Sequence, residues 1–170
     1  MKLAFSRSLV LAVLMISIIL LTVPGAIRRV IQSGDPYLFT ERFFADMWAR
    51  LSGPGRIRFL VQPTVAIFLG VRDGRRDSKK KCPPFLSWEA FRRAHRPKLW
   101  REAITSVRDL VAIAIILDLI FQALIFREIH PGAALFLGPV LITVPYLVSR
   151  TLANRIASWR AQDWEANRPM

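Results

Sequence analysis

Leu110 to Phe126 and Ala133 to Val148 are two apolar runs joined by only six residues, Arg127 to Gly132. That spacing leaves few folds open. Each run approaches the ~20 residues with which a helix crosses a hydrocarbon layer of ~30 Å. A connection this short makes its neighbours antiparallel, and Pro131-Gly132 is a turn signal inside it. The chain is therefore expected to be an all-α integral membrane protein. We expect three to four transmembrane helices, a C-terminal helical hairpin and amphipathic juxtamembrane helices, forming a single membrane domain over residues 1–170.

Composition supports this reading. Hydrophobic residues make up 53% of the chain, yet the net charge is +13, from 25 Lys+Arg against 12 Asp+Glu. The two properties are segregated into apolar and basic blocks, as a bilayer requires when it expels charge to the flanks. Ser8 to Ile27 is uncharged and long enough to span, with Lys2 and Arg7 before it and Arg28-Arg29 after it. A cleaved signal peptide is the rival reading, and a retained span is favoured because further apolar segments follow. Pro24-Gly25 breaks the helix under either reading. Phe59 to Val71 is shorter and interrupted by Gln62-Pro63, which fits a re-entrant segment or a short, tilted span.

The hairpin should extend beyond the apolar runs. Pro97 suits a first helical turn, and Lys98 and Glu102 form an i,i+4 pair with no helix breaker before Phe126. After Val148, Ser149, Ala153, Ala157 and Ala161 recur every four residues. They form either a ridge for close helix approach or simple alanine-rich propensity. Pro139 and Pro145 are tolerable where neighbouring helices satisfy the freed carbonyls. Residues 72 to 108 hold twelve Lys/Arg and four acids, whereas the 127–132 turn has only Arg127. The positive-inside rule then places the 72–108 loop and the C-terminus, residues 149–170, in the cytoplasm.

Two segments belong at a surface. Thr40 caps a helix over Thr40 to Leu51 that ends at Gly53-Pro54-Gly55. Phe43, Phe44, Met47, Trp48 and Leu51 share one face, while Arg42–Asp46 and Asp46–Arg50 pair on the other. Such a helix fits the headgroup boundary or docks on the bundle. Arg75, Arg76, Lys79, Lys80, Lys81, Arg92 and Arg93 are candidates for contact with anionic lipid headgroups or a partner, although setting topology alone explains the charge. No recognition fold or base-stacking platform accompanies it, which argues against nucleic acid.

Asp118 is the one acid well inside a strong span, and Gln122 lies a turn later on the same face. An intramembrane carboxylate is costly and is a functional candidate by default. With no basic partner at similar depth in the sequence, Asp118 is expected to hydrogen-bond, with Gln122, to carbonyls freed by Pro139 and Pro145. The sharper alternative is a proton- or cation-coupled site in an oligomer. His95 and His130 lack companions at ligand spacing, so no metal or other cofactor is expected, and no catalytic constellation is found. Cys82 reads as a free thiol.

Arg56-Ile57-Arg58-Phe59-Leu60-Val61-Gln62-Pro63, Gly70 to Asp77, Pro83-Pro84-Phe85-Leu86, Gly138-Pro139 and Pro145-Tyr146 together resemble a group of uncharacterised small bacterial inner-membrane proteins. The likeness covers residues 55 to 155. It implies a multi-pass inner-membrane location and no activity. Within it, Arg72-Asp73-Gly74-Arg75-Arg76-Asp77 reads as a tight solvated turn, with a local salt-bridged turn at the cytoplasmic boundary as the alternative. The expected role is that of an accessory or scaffold protein, a homo-oligomer or a subunit of a membrane complex. A transporter or channel subunit using Asp118 is the alternative.

Overall fold

The computed structural model describes residues 7–34, 37–53, 56–87 and 96–166, except the side chains of 96–99 and 162–166. The described residues form five helices and no strand: α1 (Arg7–Ser33), α2 (Glu41–Ser52), α3 (Arg56–Lys79), α4 (Arg96–Ile125) and α5 (Pro131–Ala166). Contacts divide the chain into two compact units, Met1–Gln62 with Arg108–Ile142, and Pro63–Val107 with Thr143–Met170. The boundaries fall inside α3, α4 and α5.

Two expected breaks are absent. α1 runs through Pro24-Gly25 to Ser33, and α3 runs through Pro63 to Lys79. A proline removes one backbone donor, whereas a break in apolar surroundings would leave several groups without partners, so continuing the helix sacrifices fewer hydrogen bonds. Consequently the Arg72–Asp77 stretch is helical rather than a solvated turn, and the basic run belongs to the end of α3 rather than to a loop. α3 stops where Lys81 adopts φ 54°, with Cys82 N–H donating to the Asp77 carbonyl at 3.0 Å and Lys81 N–H to that of Ser78 at 2.9 Å. Those two bonds close a Schellman-type C-cap.

The first unit is built by α1 and α2 packing on the hairpin. Thr40 caps α2, its hydroxyl accepting from Phe43 N–H at 3.3 Å, and Gly53 follows its last turn. The buried Phe43 packs with Ala133 and Leu137 of α5, flanked by Tyr37 and Met47, so α2 docks on the hairpin. Phe44 and Trp48, expected on the same face, stay exposed. Met15, Ile18 and Ile19 of α1 pack on Ile115 and Leu119 of α4 and on Ala134 of α5. Gly138 lets α4 and α5 approach closely, since a Cβ there would lie 2.8 Å from Ile115 Cγ1.

In the second unit the close contact is between α3 and α5. A Cβ on Gly70 would overlap Ser149 Oγ and the Tyr146 carbonyl, and one on Gly74 would overlap the Arg150 carbonyl. The small-residue ridge of α5 thus meets a glycine pair of matching i,i+4 spacing, Ser149 and Ala153 being its contacting members. Ala161 at the far end is exposed.

Among the described residues, two helices are long and apolar enough to cross a membrane, Arg7–Ser33 and the Pro131–Ala161 part of α5. α3 ends in a charged run, and the apolar half of α4 begins only after Arg108 and Asp109 and contains Asp118.

Alanine should separate the close approach from helix propensity. Replacing an interior glycine gains up to ~1 kcal/mol of propensity, but overpacking costs about 1–3 kcal/mol. Gly70→Ala and Gly74→Ala should lower the thermal midpoint in detergent, whereas Gly25→Ala, with nothing within 4 Å, should hold or raise it.

Candidate functional site

Burial of a charge among helices is tolerable only with a partner. Six buried charged residues fall into two clusters among the described residues, one in each unit.

In the first unit the centre is Asp118, at 1% exposure. Arg58 Nη2 lies 2.5 Å from its Oδ1, and Arg50 Nη1 lies 3.9 Å from its Oδ2. The expectation that Asp118 lacks a basic partner is thereby corrected: α2 supplies Arg50 and α3 supplies Arg58. The Arg50 guanidinium also sits 5.3 Å from the Phe126 ring centroid, and that of Arg58 lies 4.8 and 5.3 Å from those of Phe59 and Phe121. Arg50 Nη2 donates to the Tyr37 hydroxyl at 3.4 Å, and that hydroxyl donates to Asp46 at 2.7 Å. The expected pairs Arg42–Asp46 and Asp46–Arg50 do not form. Arg42 instead reaches Glu128 at 2.7 Å.

Gln122 ties this cluster to the hairpin turn. Its Nε2 donates to Asp118 Oδ2 at 2.7 Å, and its Oε1 accepts from the His130 N–H at 2.6 Å. Neither side chain bonds the carbonyls freed by Pro139 or Pro145. The turn closes as Arg127 takes φ 54° and the His130 carbonyl accepts from Ala133 and Ala134 N–H. His130 stacks on Tyr37 at 3.6 Å between ring centroids. Its pKa is pushed down to about 4, first by burial and then by the charge of Arg29.

In the second unit, α3 presents Asp73 and Asp77 one turn apart to Tyr146 and Arg150, one turn apart on α5. Arg150 Nε and Nη2 grip Asp77 at 2.7 and 3.2 Å, and its Nη1 donates to the Tyr146 hydroxyl at 3.0 Å. That hydroxyl donates to Asp73 at 3.0 Å, and Arg72 Nε meets the other Asp73 oxygen at 3.1 Å. Against the upward push of burial, hydrogen bonds from Ser106, Tyr146 and Arg72 hold the Asp73 carboxyl below the usual carboxylate range. Asn154 fastens the chain beyond α3 by donating to the Cys82 carbonyl at 3.1 Å. Beside this network lies an open cavity of about 540 Å3, lined by Arg76, Lys80, Arg101, Glu102, Thr105 and Ser106 together with three members of the network.

Asp118 and Gln122, two candidates from sequence, are thus joined directly. Arg75, Arg76, Lys79, Lys80 and Lys81 are exposed at the end of α3, and two of them line the cavity. Arg92 and Arg93 lie outside the described residues. Sequence reasoning named none of Arg50, Arg58, Asp73, Asp77, Tyr146 and Arg150 as a site residue. The signal for the last four was available, because Asp73/Asp77 and Gly70/Gly74 share one helix at the same spacing as Tyr146/Arg150. Among the described residues no group of His, Cys, Asp and Glu could hold a metal ion. Comparison with protein-family models, with curated proteins and with solved structures gives no match.

Removing one member of a buried pair strands the other, at a cost of about 3–5 kcal/mol. Asp118→Asn and Arg150→Met should each lower the unfolding midpoint steeply, and Arg58→Met combined with Asp118→Asn should cost less than the two changes summed. His130 gives a pH dependence of opposite origin. Its folded pKa of about 4 lies below the ordinary imidazole value of 6.5, so its contribution is complete above 6.5 and lost as pH falls through 4. A pH series of midpoints should therefore fall between those values, and His130→Gln should flatten that interval.

Proposed function

We propose that the protein is a small, multi-pass helical membrane protein that acts by association, as an accessory or scaffold subunit. The single observation that carries this reading is the surface of α1. None of its residues is buried, and Leu20 and Leu21 are 65% and 81% exposed along with Leu9, Val10, Val13, Leu14 and Ile16. A patch of that size is unfavourable in water and ordinary against lipid. Leu135, Phe136, Val140, Val144 and Val148 continue the pattern on α5.

The contacts of α1 support its role as a retained helix rather than a disposable leader: Ser8 Oγ donates to Asp109 at 2.8 Å and Met15, Ile18 and Ile19 pack on the hairpin. The basic end of α3 supports a cytoplasmic face that holds anionic headgroups or an acidic partner, with Arg76, Lys80 and Arg101 around a cavity large enough to receive one. In this reading the 72–108 segment and the C-terminus are cytoplasmic, the 126–130 turn is outside, and the membrane is the inner membrane implied by the sequence resemblance. Pairing with Arg58 weighs against Asp118 as a proton- or cation-coupling group.

The test is purification in mild detergent followed by native mass measurement. The expected result is a stoichiometric complex heavier than the 19.4 kDa chain, and Arg76→Glu with Lys80→Glu should release the partner while the chain resists carbonate extraction. A stable monomer would contradict the reading. In a Cys82→Ser background, Ser33→Cys should react with an impermeant maleimide in sealed cells if α1 and α3 both span. Labelling only after permeabilisation would instead place residues 28–58 inside.

A further inference from the structure

The cavity beside the second network carries charge that the network does not answer. Within the network the balance is neutral, since Arg150 and Arg72 answer Asp77 and Asp73. The remaining charged residues of the lining are Arg76 and Lys80, one turn apart on α3, with Arg101 and Glu102 on α4. Among the described residues none of these four forms an ion pair. One carboxylate therefore stands against three cations, an excess of two positive charges. The hydroxyls nearby are already committed. Thr105 donates to the Arg101 carbonyl at 2.7 Å, and Ser106 hydrogen-bonds Asp73. The donors left for a ligand are thus two guanidiniums and one ammonium.

We propose that this cavity binds a phosphate monoester, held by Arg76, Lys80 and Arg101. The proposal rests on the reading of the basic α3 end as an anion-holding face, and it names the anion. Charge selects it. A phosphate monoester carries about −1.5 to −2 at pH 7 and offers three strong acceptor oxygens, which matches both the excess charge and the donors. A carboxylate or a phosphodiester carries a single charge and leaves one cation unanswered. Guanidiniums grip phosphate through paired N–H bonds, and a lysine adds a point charge. Size and polarity limit the rest of the ligand. A volume of about 540 Å3 lies within the ~300–1,000 Å3 of small-molecule sites, so a phosphate enters with a small substituent. Among the described residues that line the cavity none is aromatic or apolar. The lining therefore provides neither a stacking platform for a base nor cover for an acyl chain. What it takes is a polar end, either that of a small soluble phosphate such as glycerol 3-phosphate or the headgroup of phosphatidate. Glu102 weakens the site, because it offsets one of the three cations.

The test uses the purified chain in detergent. Glycerol 3-phosphate, a monoester, and glycerophosphoglycerol, a diester, are titrated by calorimetry at matched ionic strength. The monoester should bind roughly tenfold more tightly, the worth of one charge-assisted contact. Arg101→Gln, which lies outside the buried network, should weaken the monoester by a similar factor, and Glu102→Gln should tighten it several-fold. Lys79→Gln, exposed on α3 but absent from the lining, should leave the affinity unchanged. Native mass measurement from micelles containing phosphatidate and phosphatidylglycerol then separates the two sources. Preferential retention of phosphatidate supports the lipid headgroup, and equal retention with glycerol 3-phosphate binding intact supports a soluble phosphate. Equal affinity for monoester and diester, or an equal loss in Lys79→Gln and Arg101→Gln, would reduce the effect to surface charge and overturn the proposal. Binding of neither glycerol 3-phosphate nor phosphatidate by a chain that still forms its stoichiometric complex would overturn it and leave the scaffold reading standing. Monoester binding by a stable monomer would do the reverse.

Discussion

A charge enclosed by apolar helices must find its partner on another helix, and that constraint organises both halves of this chain. Asp118 on α4 is met by Arg58 from α3 and by Arg50 from α2. Asp77 on α3 is met by Arg150 from α5. Apolar contacts pull helices together without fixing their rotation or register. An ion pair with bidentate geometry does both, because a shift of one residue turns the group away by about 100°. Both pairs join segments far apart in sequence, so each selects one packing from the many that an apolar surface would accept.

Close approach and charge pairing reinforce each other in the second unit. Gly70 and Gly74 bring α3 against Ser149 and Ala153, and only at that distance can Asp73 and Asp77 reach Tyr146 and Arg150. In the first unit Gln122 has the corresponding role, linking Asp118 to the backbone of the hairpin turn. The turn thereby fixes the entry of α5, and α2 is fastened above it through Phe43 and the Arg42–Glu128 pair.

How far this was legible in the sequence follows from the range of each interaction. Helix ends written locally were readable: the Thr40 cap, Gly53 after α2, Pro97 in the first turn of α4, and the short link that folds α4 back on α5. The all-helical character follows from apolar runs with no strand pattern. Prolines 24 and 63 misled, because the cost of a proline is local whereas the cost of breaking a helix depends on surroundings that the local sequence does not describe. The partners of Asp118 lie 60 and 68 positions away by residue number, and no periodicity connects them to it. Asp73 and Asp77 were misjudged for a related reason. Five basic residues from Arg72 to Lys80 point outward, and their density in the sequence hides two acids that point inward.

The proposed membrane role depends on what surrounds α1. Its packed side is the Met15, Ile18 and Ile19 stripe, and in the proposed reading lipid covers the exposed rest of its apolar surface. A nitroxide scan through residues 9–23 in reconstituted vesicles tests that reading most directly, comparing collisions with oxygen and with a neutral nickel chelate. Oxygen contact should dominate at Leu9, Val13, Leu14, Ile16, Leu20 and Leu21 and fall at Met15, Ile18 and Ile19, with a helical period. Nickel contact exceeding oxygen contact along the same residues would put α1 in water and contradict the account.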